Sequence, residues 1–132
     1  MTTWSLTHDA GRTHLVARGI PDRWDIWAAA VWTADLPADP LSPQVRARLA
    51  HQIRQDIWRA AQRVRGFVPR VTLEQTDGHL TIRAGGTITT DTPCPAGLTD
   101  ALAAILQNDK NRRRWMTHAT RAKGGRRCST RS

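Results

Sequence analysis

Residues 70–84 read RVTLEQTDGHLTIRA, in which apolar and polar side chains alternate on both sides of an Asp-Gly pair. Asp77-Gly78 is a favoured two-residue type I′ turn between antiparallel strands. The alternation places Leu73 and Ile82 opposite each other on one face, with most polar side chains on the other. The predicted pairs on the first face are Val71 with Ala84, Leu73 with Ile82, and Gln75 with Leu80. The stretch therefore predicts a β-hairpin with one wet side, and Gly85-Gly86 is expected to end it.

A second hairpin is predicted for residues 3–18, which read TWSLTHDAGRTHLVAR. With a loop at residues 9–12, Trp4 and Leu6 face the same side as Leu15. The two hairpins share an order of strand, glycine-containing turn, His-Leu, and then arginine and glycine. Two hairpins followed by helical segments predict an α+β protein, an antiparallel sheet with helices packed on one face.

Three helices are predicted apart from the ambiguous segment at residues 21–36, and the clearest covers residues 43–65. Ser42 is a suitable N-cap, and Pro43 fits the first helical position. The apolar residues are spaced by three and four, which gives one buried stripe. The stripe consists of Val45, Leu49, Ile53, Ile57, Ala60 and Val64. A short helix is predicted at 96–107 and a last one at 109–123.

Two structures fit residues 21–36, which read PDRWDIWAAAVWTADL. As a helix, the segment has Pro21 in its first turn and its tryptophans near one apolar stripe. As a strand, alternate residues from 26 to 32 share one face. The helix is preferred here. The sequence does not decide whether Trp24, Trp27 and Trp32 lie in the core or on a contact surface.

The length of 132 residues fits one domain, which we place at residues 1–123. Residues 124–132 lack apolar content and are expected to form a disordered basic tail. The chain has no apolar run long enough for a membrane span and no visible secretory signal, so we expect a cytoplasmic protein. Cys94 and Cys128 lie far apart without a CxxC partner, so no metal or other cofactor is expected.

The net charge of +9 is concentrated after Asp109, where nine basic and no acidic residues follow. Such a field attracts a polyanion, and cations that neutralise phosphates release counterions. We therefore expect a small nucleic-acid-binding protein with little base specificity, preferring DNA to RNA. The predicted phosphate contacts are Lys110, Arg112, Arg113, Arg114, Arg121, Lys123, Arg126 and Arg127. The alternatives are a solvated tail and a segment that binds an acidic protein surface.

A second predicted surface lies on the outer side of the long helix, where Trp58 is off the apolar stripe beside Arg54 and Arg65. An exposed tryptophan between arginines can stack a base while the arginines hold phosphates. The alternative buries Trp58 under residues 21–36, as is usual for tryptophan.

The rival function is a protein–protein adaptor or assembly component, of a mobile-element or phage-like system. Its hydrophobic patch would combine Trp58 with the tryptophans of residues 24–32. The polar face of the 70–84 hairpin carries Arg70 and Arg83. A two-stranded ribbon can enter a DNA groove, but a solvated sheet face is the favoured interpretation of this pattern.

Enzymatic activity is not expected, because the sequence contains no catalytic motif. The five histidines are scattered without HxxxH or HxE spacing; they are His8, His14, His51, His79 and His118. Gly85-Gly86 is not followed by a helix that starts with Lys-Ser/Thr, so the sequence contains no phosphate-binding loop of that type.

Overall fold

The computed structural model describes residues 4–9, 11–33, 41–76 and 78–131, with side chains described as far as Thr120. Its five strands are β1 (Trp4–Asp9), β2 (Arg12–Ala17), β3 (Ile26–Trp32), β4 (Phe67–Thr76) and β5 (His79–Ile88). They form one antiparallel sheet in the order β1-β2-β4-β5-β3.

Three helices cover one face of this sheet. They are α1 (Pro43–Ala61), α2 (Leu98–Gln107) and α3 (Asp109–Arg131). Helix α1 packs on the central strands and α2 on β3, while α3 packs on α1 and α2. The predicted α+β architecture, with helices on one face of an antiparallel sheet, is therefore confirmed.

Both predicted hairpins are confirmed, with the predicted register. In the β4–β5 hairpin, Leu73 pairs with Ile82, and Thr76 pairs with His79 across a two-residue loop. Asp77 lies outside the described residues, and Gly78 has a φ of 78°. In the β1–β2 hairpin, Leu6 lies opposite Leu15. Turn chemistry and period-two alternation agree at both sites, which is why the register follows from local sequence.

The preferred helix at residues 21–36 is wrong, because residues 26–32 form the edge strand β3. Its residues pair with β5 from Ile26 opposite Gly86 to Trp32 opposite Leu80. Alternate residues are buried against the helices, whereas Trp27 and Val31 point to the helix-free face and are exposed. Residues 26–32 form a strand because their backbone is hydrogen-bonded to β5. This partner is about 55 residues away in the sequence, so a local pattern does not reveal it.

Gly85-Gly86 does not end β5, which continues to Ile88. A Cβ atom at Gly85 would overlap the backbone of Ile26, and one at Gly86 would overlap the carbonyl oxygen of Val68. The two glycines therefore act as points of close approach between β5 and its neighbours, and not as strand breakers.

Helix α1 begins where predicted, since the Ser42 hydroxyl accepts a hydrogen bond from the Val45 amide at 3.1 Å. It ends at Ala61, earlier than the predicted residue 65. Ala60 is exposed and Ala61 is buried, so the buried stripe shifts by one residue at its end.

Helix α3 runs past Gly124-Gly125, where its end was predicted, to Arg131. Glycine lowers helix stability by roughly 1 kcal/mol relative to alanine, but it does not block a helix as proline does. The predicted boundary between residues 123 and 124 falls within this helix. The side chains of residues 121–132 lie outside the described residues, and the disordered tail stays a prediction.

We predict that Gly85→Ala destabilises the fold by about 1–3 kcal/mol, because the new Cβ would force β3 away from β5. The measurement is the midpoint of denaturant-induced unfolding. Thr81→Ala changes a half-exposed residue of the same strand and is the matched control. Equal midpoints for the two variants would contradict the close approach at Gly85.

Candidate nucleic-acid interface

The first half of α3 is anchored to the body by Trp115. Its indole is fully buried and stacks on Trp32, with the ring centroids 6.1 Å apart. The indole nitrogen donates a hydrogen bond of 2.9 Å to an Asp56 carboxylate oxygen on α1. Arg114 donates to the same oxygen, and Arg59 donates to the other oxygen at 3.1 Å. One carboxylate of α1 thus collects three donors, two of which come from α3.

Two of the three adjacent arginines of α3 therefore have carboxylate partners within the fold. Arg114 is paired with Asp56. Arg112 lies 3.5 Å from Asp109, and its guanidinium lies over the Trp32 ring at 5.8 Å. These contacts reduce the charge that either arginine has available for an external anion.

The other described cations of α3 face solvent. Lys110 and Arg113 are exposed, and neither forms an ion pair with another residue that the structure describes. The remaining predicted contacts have side chains outside the described residues; they are Arg121, Lys123, Arg126 and Arg127.

The predicted surface on α1 is rearranged. Trp58 is 46% exposed and does not pack under β3. Instead it shares a groove of about 240 Å³ with Trp4 and Arg54, whose guanidinium lies 4.6 Å above the Trp4 ring. Burial lowers the pKa of Arg54. Arg65 is exposed but lies beyond the end of α1, so it is not on the helical face that sequence spacing suggested.

A cluster that the sequence interpretation undervalued lies on the helix-free face of the sheet. Arg70 lies over the Trp24 ring at 5.1 Å. Arg83 lies over both indoles, at 5.6 Å from Trp24 and 4.6 Å from Trp27. We call these four residues the Arg–Trp ladder. The sequence places three tryptophans close together, at positions 24, 27 and 32. The arginines that contact Trp24 and Trp27 come from strands that are distant in the sequence.

The β2–β3 loop holds the inner end of this ladder in place. Arg70 is 4% exposed although no helix covers it. Its guanidinium donates to the Asp22 carboxylate at 2.6 Å and to the Arg23 carbonyl at 2.9 Å. The loop is tied to β5 as well, since Asp25 accepts from the Ile88 amide at 2.7 Å. These bonds fix Trp24, which lies between the residues that make them.

His14 contributes no charge to this face at neutral pH. Burial, followed by the neighbouring Arg70 guanidinium, lowers the pKa of His14. A guanidinium has no acceptor, so Nε2 of His14 accepts the 3.2 Å hydrogen bond from Arg70 and the ring is neutral. The hydrogen bond from Arg70 also lowers the pKa of Asp22.

A shallow cavity of about 220 Å³ lies beside the ladder. Its walls include Trp24, Arg83 and Thr81. Arg12, also on its wall, pairs with Glu74 at 3.3 Å. Among the described residues, no carboxylate pairs with Arg83.

We predict that Asp56→Ala destabilises the protein by about 1–3 kcal/mol, because the buried Trp115 indole loses its acceptor. Thermal or denaturant unfolding measures this change. Asp100→Ala removes an exposed carboxylate from α2 and should cost less. A loss for Asp56→Ala no larger than the loss for Asp100→Ala would contradict the anchoring role.

We predict that His14→Gln weakens the pH dependence of stability. The folded pKa of His14 lies below its ordinary value of 6.5, so just below that pH the unfolded chain binds more protons. Stability is therefore full above about pH 6.5 and falls as the pH decreases. The free energy of unfolding, measured at about pH 7.5 and 5.5, should fall less for His14→Gln than for wild type. His51, whose pKa is also lowered by burial, accounts for part of the pH dependence that remains in His14→Gln.

His79→Gln replaces an exposed imidazole beside the β4–β5 turn and serves as the control. The pH dependence of His79→Gln should match that of wild type. An identical loss in wild type and His14→Gln would show that His14 does not contribute.

Comparison with protein-family models, with curated proteins and with solved structures finds no match for this chain. In the described part of the chain, no three His, Cys, Asp or Glu side chains lie together in a way that suits a metal ion. None of the described helices combines the length and the hydropathy that a membrane crossing requires.

Proposed function

We propose that this protein is a nucleic-acid-binding protein of the cytoplasm, not an enzyme, and that it holds duplex DNA through phosphate contacts from α3. One observation carries the proposal. Residues 1–109 contain eleven basic and eleven acidic residues, whereas residues 110–132 contain nine basic and none acidic. The entire net charge of +9 therefore belongs to residues 110–132, which are α3 after its first residue, Asp109, together with Ser132.

The packing of α3 supports this proposal because it fixes which way the helix faces. Trp115 and Ala119 are fully buried, so one side of the helix is held against the body. Lys110 and Arg113 lie on the exposed side. A helix that is anchored in this way presents its cations without first having to order itself, which lowers the entropic cost of binding.

The intramolecular ion pairs reduce the number of α3 arginines that we expect to contact phosphates. Arg112 and Arg114 have partners in Asp109 and Asp56, and they are placed at the margin of the proposed surface. Its described part consists of Lys110 and Arg113, and the cations of residues 121–131 stay sequence-based contacts whose side chains lie outside the described residues. Contacts of this kind recognise phosphates and not base edges, so low sequence specificity is expected.

Duplex DNA is the proposed partner because of its charge density. It carries one negative charge per roughly 1.7 Å of helix axis, and each phosphate neutralised releases condensed counterions. Exposed cations on a helix gain more from binding a duplex than from binding a single strand, because a single strand releases fewer counterions per contact.

The rival function, a protein adaptor, has its own support. Trp27 and Trp58 are each 46% exposed, and Val31 is 56% exposed. Exposed tryptophans are typical of protein contact sites. The two functions differ in their salt response, because an apolar contact is much less sensitive to salt than phosphate binding.

We predict that a protein ending at Thr120 and the variant Lys110→Ala/Arg113→Ala both bind duplex DNA more weakly than the full chain. Fluorescence anisotropy at several salt concentrations measures this binding. The slope of log affinity against log salt should fall by roughly one unit for each phosphate that the variant no longer binds. Shortening to Thr120 removes five cations but keeps Trp115 and Ala119 in the core. A cut after Asn108 would remove both buried residues and is not a usable test.

Arg63→Ala removes one exposed cation outside α3 and is the control for total charge. It should leave the salt slope unchanged. If both α3 variants retain the affinity and slope of the full chain, the proposed role of α3 is wrong.

A further inference from the structure

The helix-free face of the sheet differs from an ordinary solvated sheet face. In the described chain, α1, α2 and α3 all lie on the opposite side. The helix-free face carries the Arg–Trp ladder, in which Arg83 lies over two indole rings. Of the three large apolar side chains that are exposed in the described residues, Trp27 and Val31 are on this same face.

Among the residues that the structure describes, the acids on this face do not provide a counterion for Arg83. Glu74 is paired with Arg12 at 3.3 Å, and Asp22 is paired with Arg70 at 2.6 Å. Neither acid pairs with Arg83, which is exposed at the centre of the cluster. A guanidinium that lies against indole rings keeps its N–H groups at its edge, where they can donate to an anion. The counterion that suits this geometry is a phosphate from outside the protein.

The indoles supply the second element of the site. Trp27 remains 46% exposed although Arg83 lies over its ring, so part of the indole is open to a further planar group. Trp24 and Arg83 also line the cavity of about 220 Å³ on this face. An open aromatic surface beside a cation is the arrangement that stacks nucleobases and holds their phosphates.

The surrounding structure orders these side chains in advance. Trp27 on β3 pairs with Gly85 on β5. Gly85 is two residues after Arg83, so Trp27 and Arg83 lie on the same face of the sheet. Trp24 is fixed from the other side by Arg70, which is buried under the β2–β3 loop. Side chains that already hold their bound positions lose less entropy on binding.

We propose that Trp24, Arg83 and Trp27 form a stacking site for the unpaired bases of single-stranded nucleic acid. This inference rests on the proposed function and adds a second surface to it. Bases in a duplex have both faces covered by their neighbours, so a stacking surface selects unpaired bases. The site lies on the opposite side of the sheet from α3, so substitutions can test the two proposed surfaces separately.

The test compares wild type with Trp27→Ala in fluorescence anisotropy titrations. The probes are a labelled oligothymidine of about 12 nucleotides, an abasic oligonucleotide of the same length, and a duplex of the same length. Trp27→Ala should weaken binding of oligothymidine by roughly tenfold, and it should change binding of the abasic strand and the duplex less than about twofold. Val31→Ala removes another exposed apolar side chain, 56% exposed, from the same strand. It should leave the affinity for oligothymidine unchanged.

Substitutions of Arg83 test the second element. Arg83→Lys keeps the charge but loses the planar group that lies against the indoles, so it should retain only part of the affinity for oligothymidine. Arg83→Ala should lose more. The midpoint of unfolding, measured for each variant, establishes that the comparison is between folded proteins, and Trp27→Phe provides a milder variant that keeps an aromatic ring.

The outcomes separate this inference from the proposed function. Equal affinities of Trp27→Ala and Val31→Ala for oligothymidine would overturn the stacking site. So would a wild-type protein that binds oligothymidine no more tightly than the abasic strand. In either case, salt-dependent duplex binding through α3 leaves the proposed function intact. A wild-type protein that binds none of the three probes overturns both.

Discussion

The buried indole of Trp115 is the contact on which the arrangement of this fold depends. It stacks on Trp32 of the edge strand and donates a hydrogen bond to Asp56 of α1, so one side chain joins β3, α1 and α3. Ala119, which is also fully buried, and Met116 complete the apolar contact of α3 with the body. Because the indole is fully buried, the helix has a fixed rotation about its axis. The exposure of Lys110 and Arg113 follows from that rotation.

The Trp115 contact also explains how the strongly basic helix α3 packs against the rest of the protein. A body with balanced charge does not attract nine cations, and in the described part of the chain the carboxylates of Asp56 and Asp109 pair with arginines of α3. Asp56 serves Arg114 and the Trp115 indole together, which satisfies a buried donor and one cation with a single group. Hydrogen bonds to a charged acceptor are stronger than neutral ones, so this sharing costs little stability.

Local sequence predicted those parts of the fold in which local and global preferences agree. The hairpin registers and the Ser42 cap are of this kind, since turn type, alternation and capping chemistry act within a few residues. Strand β3 was missed because its residues fit a helix or a strand equally well, and the choice depends on pairing with β5. The glycines that admit this pairing look like strand breakers in isolation. The Arg–Trp ladder was missed for the same reason, since Arg70 and Arg83 meet Trp24 only after the sheet has formed.

The two proposed surfaces respond differently to solution conditions, and this gives them different roles. Phosphate contacts weaken steeply with salt because they depend on counterion release, so α3 contributes most at low ionic strength. Stacking on Trp27 depends on burying aromatic surface and on a cation held between indoles, neither of which involves a long-range field. At physiological ionic strength the Debye length is about 8 Å, and charges more distant than that from the ligand add little. If both proposals hold, we expect the sheet face to contribute the larger share of binding to an unpaired strand under those conditions, and α3 to act on phosphates only at close range.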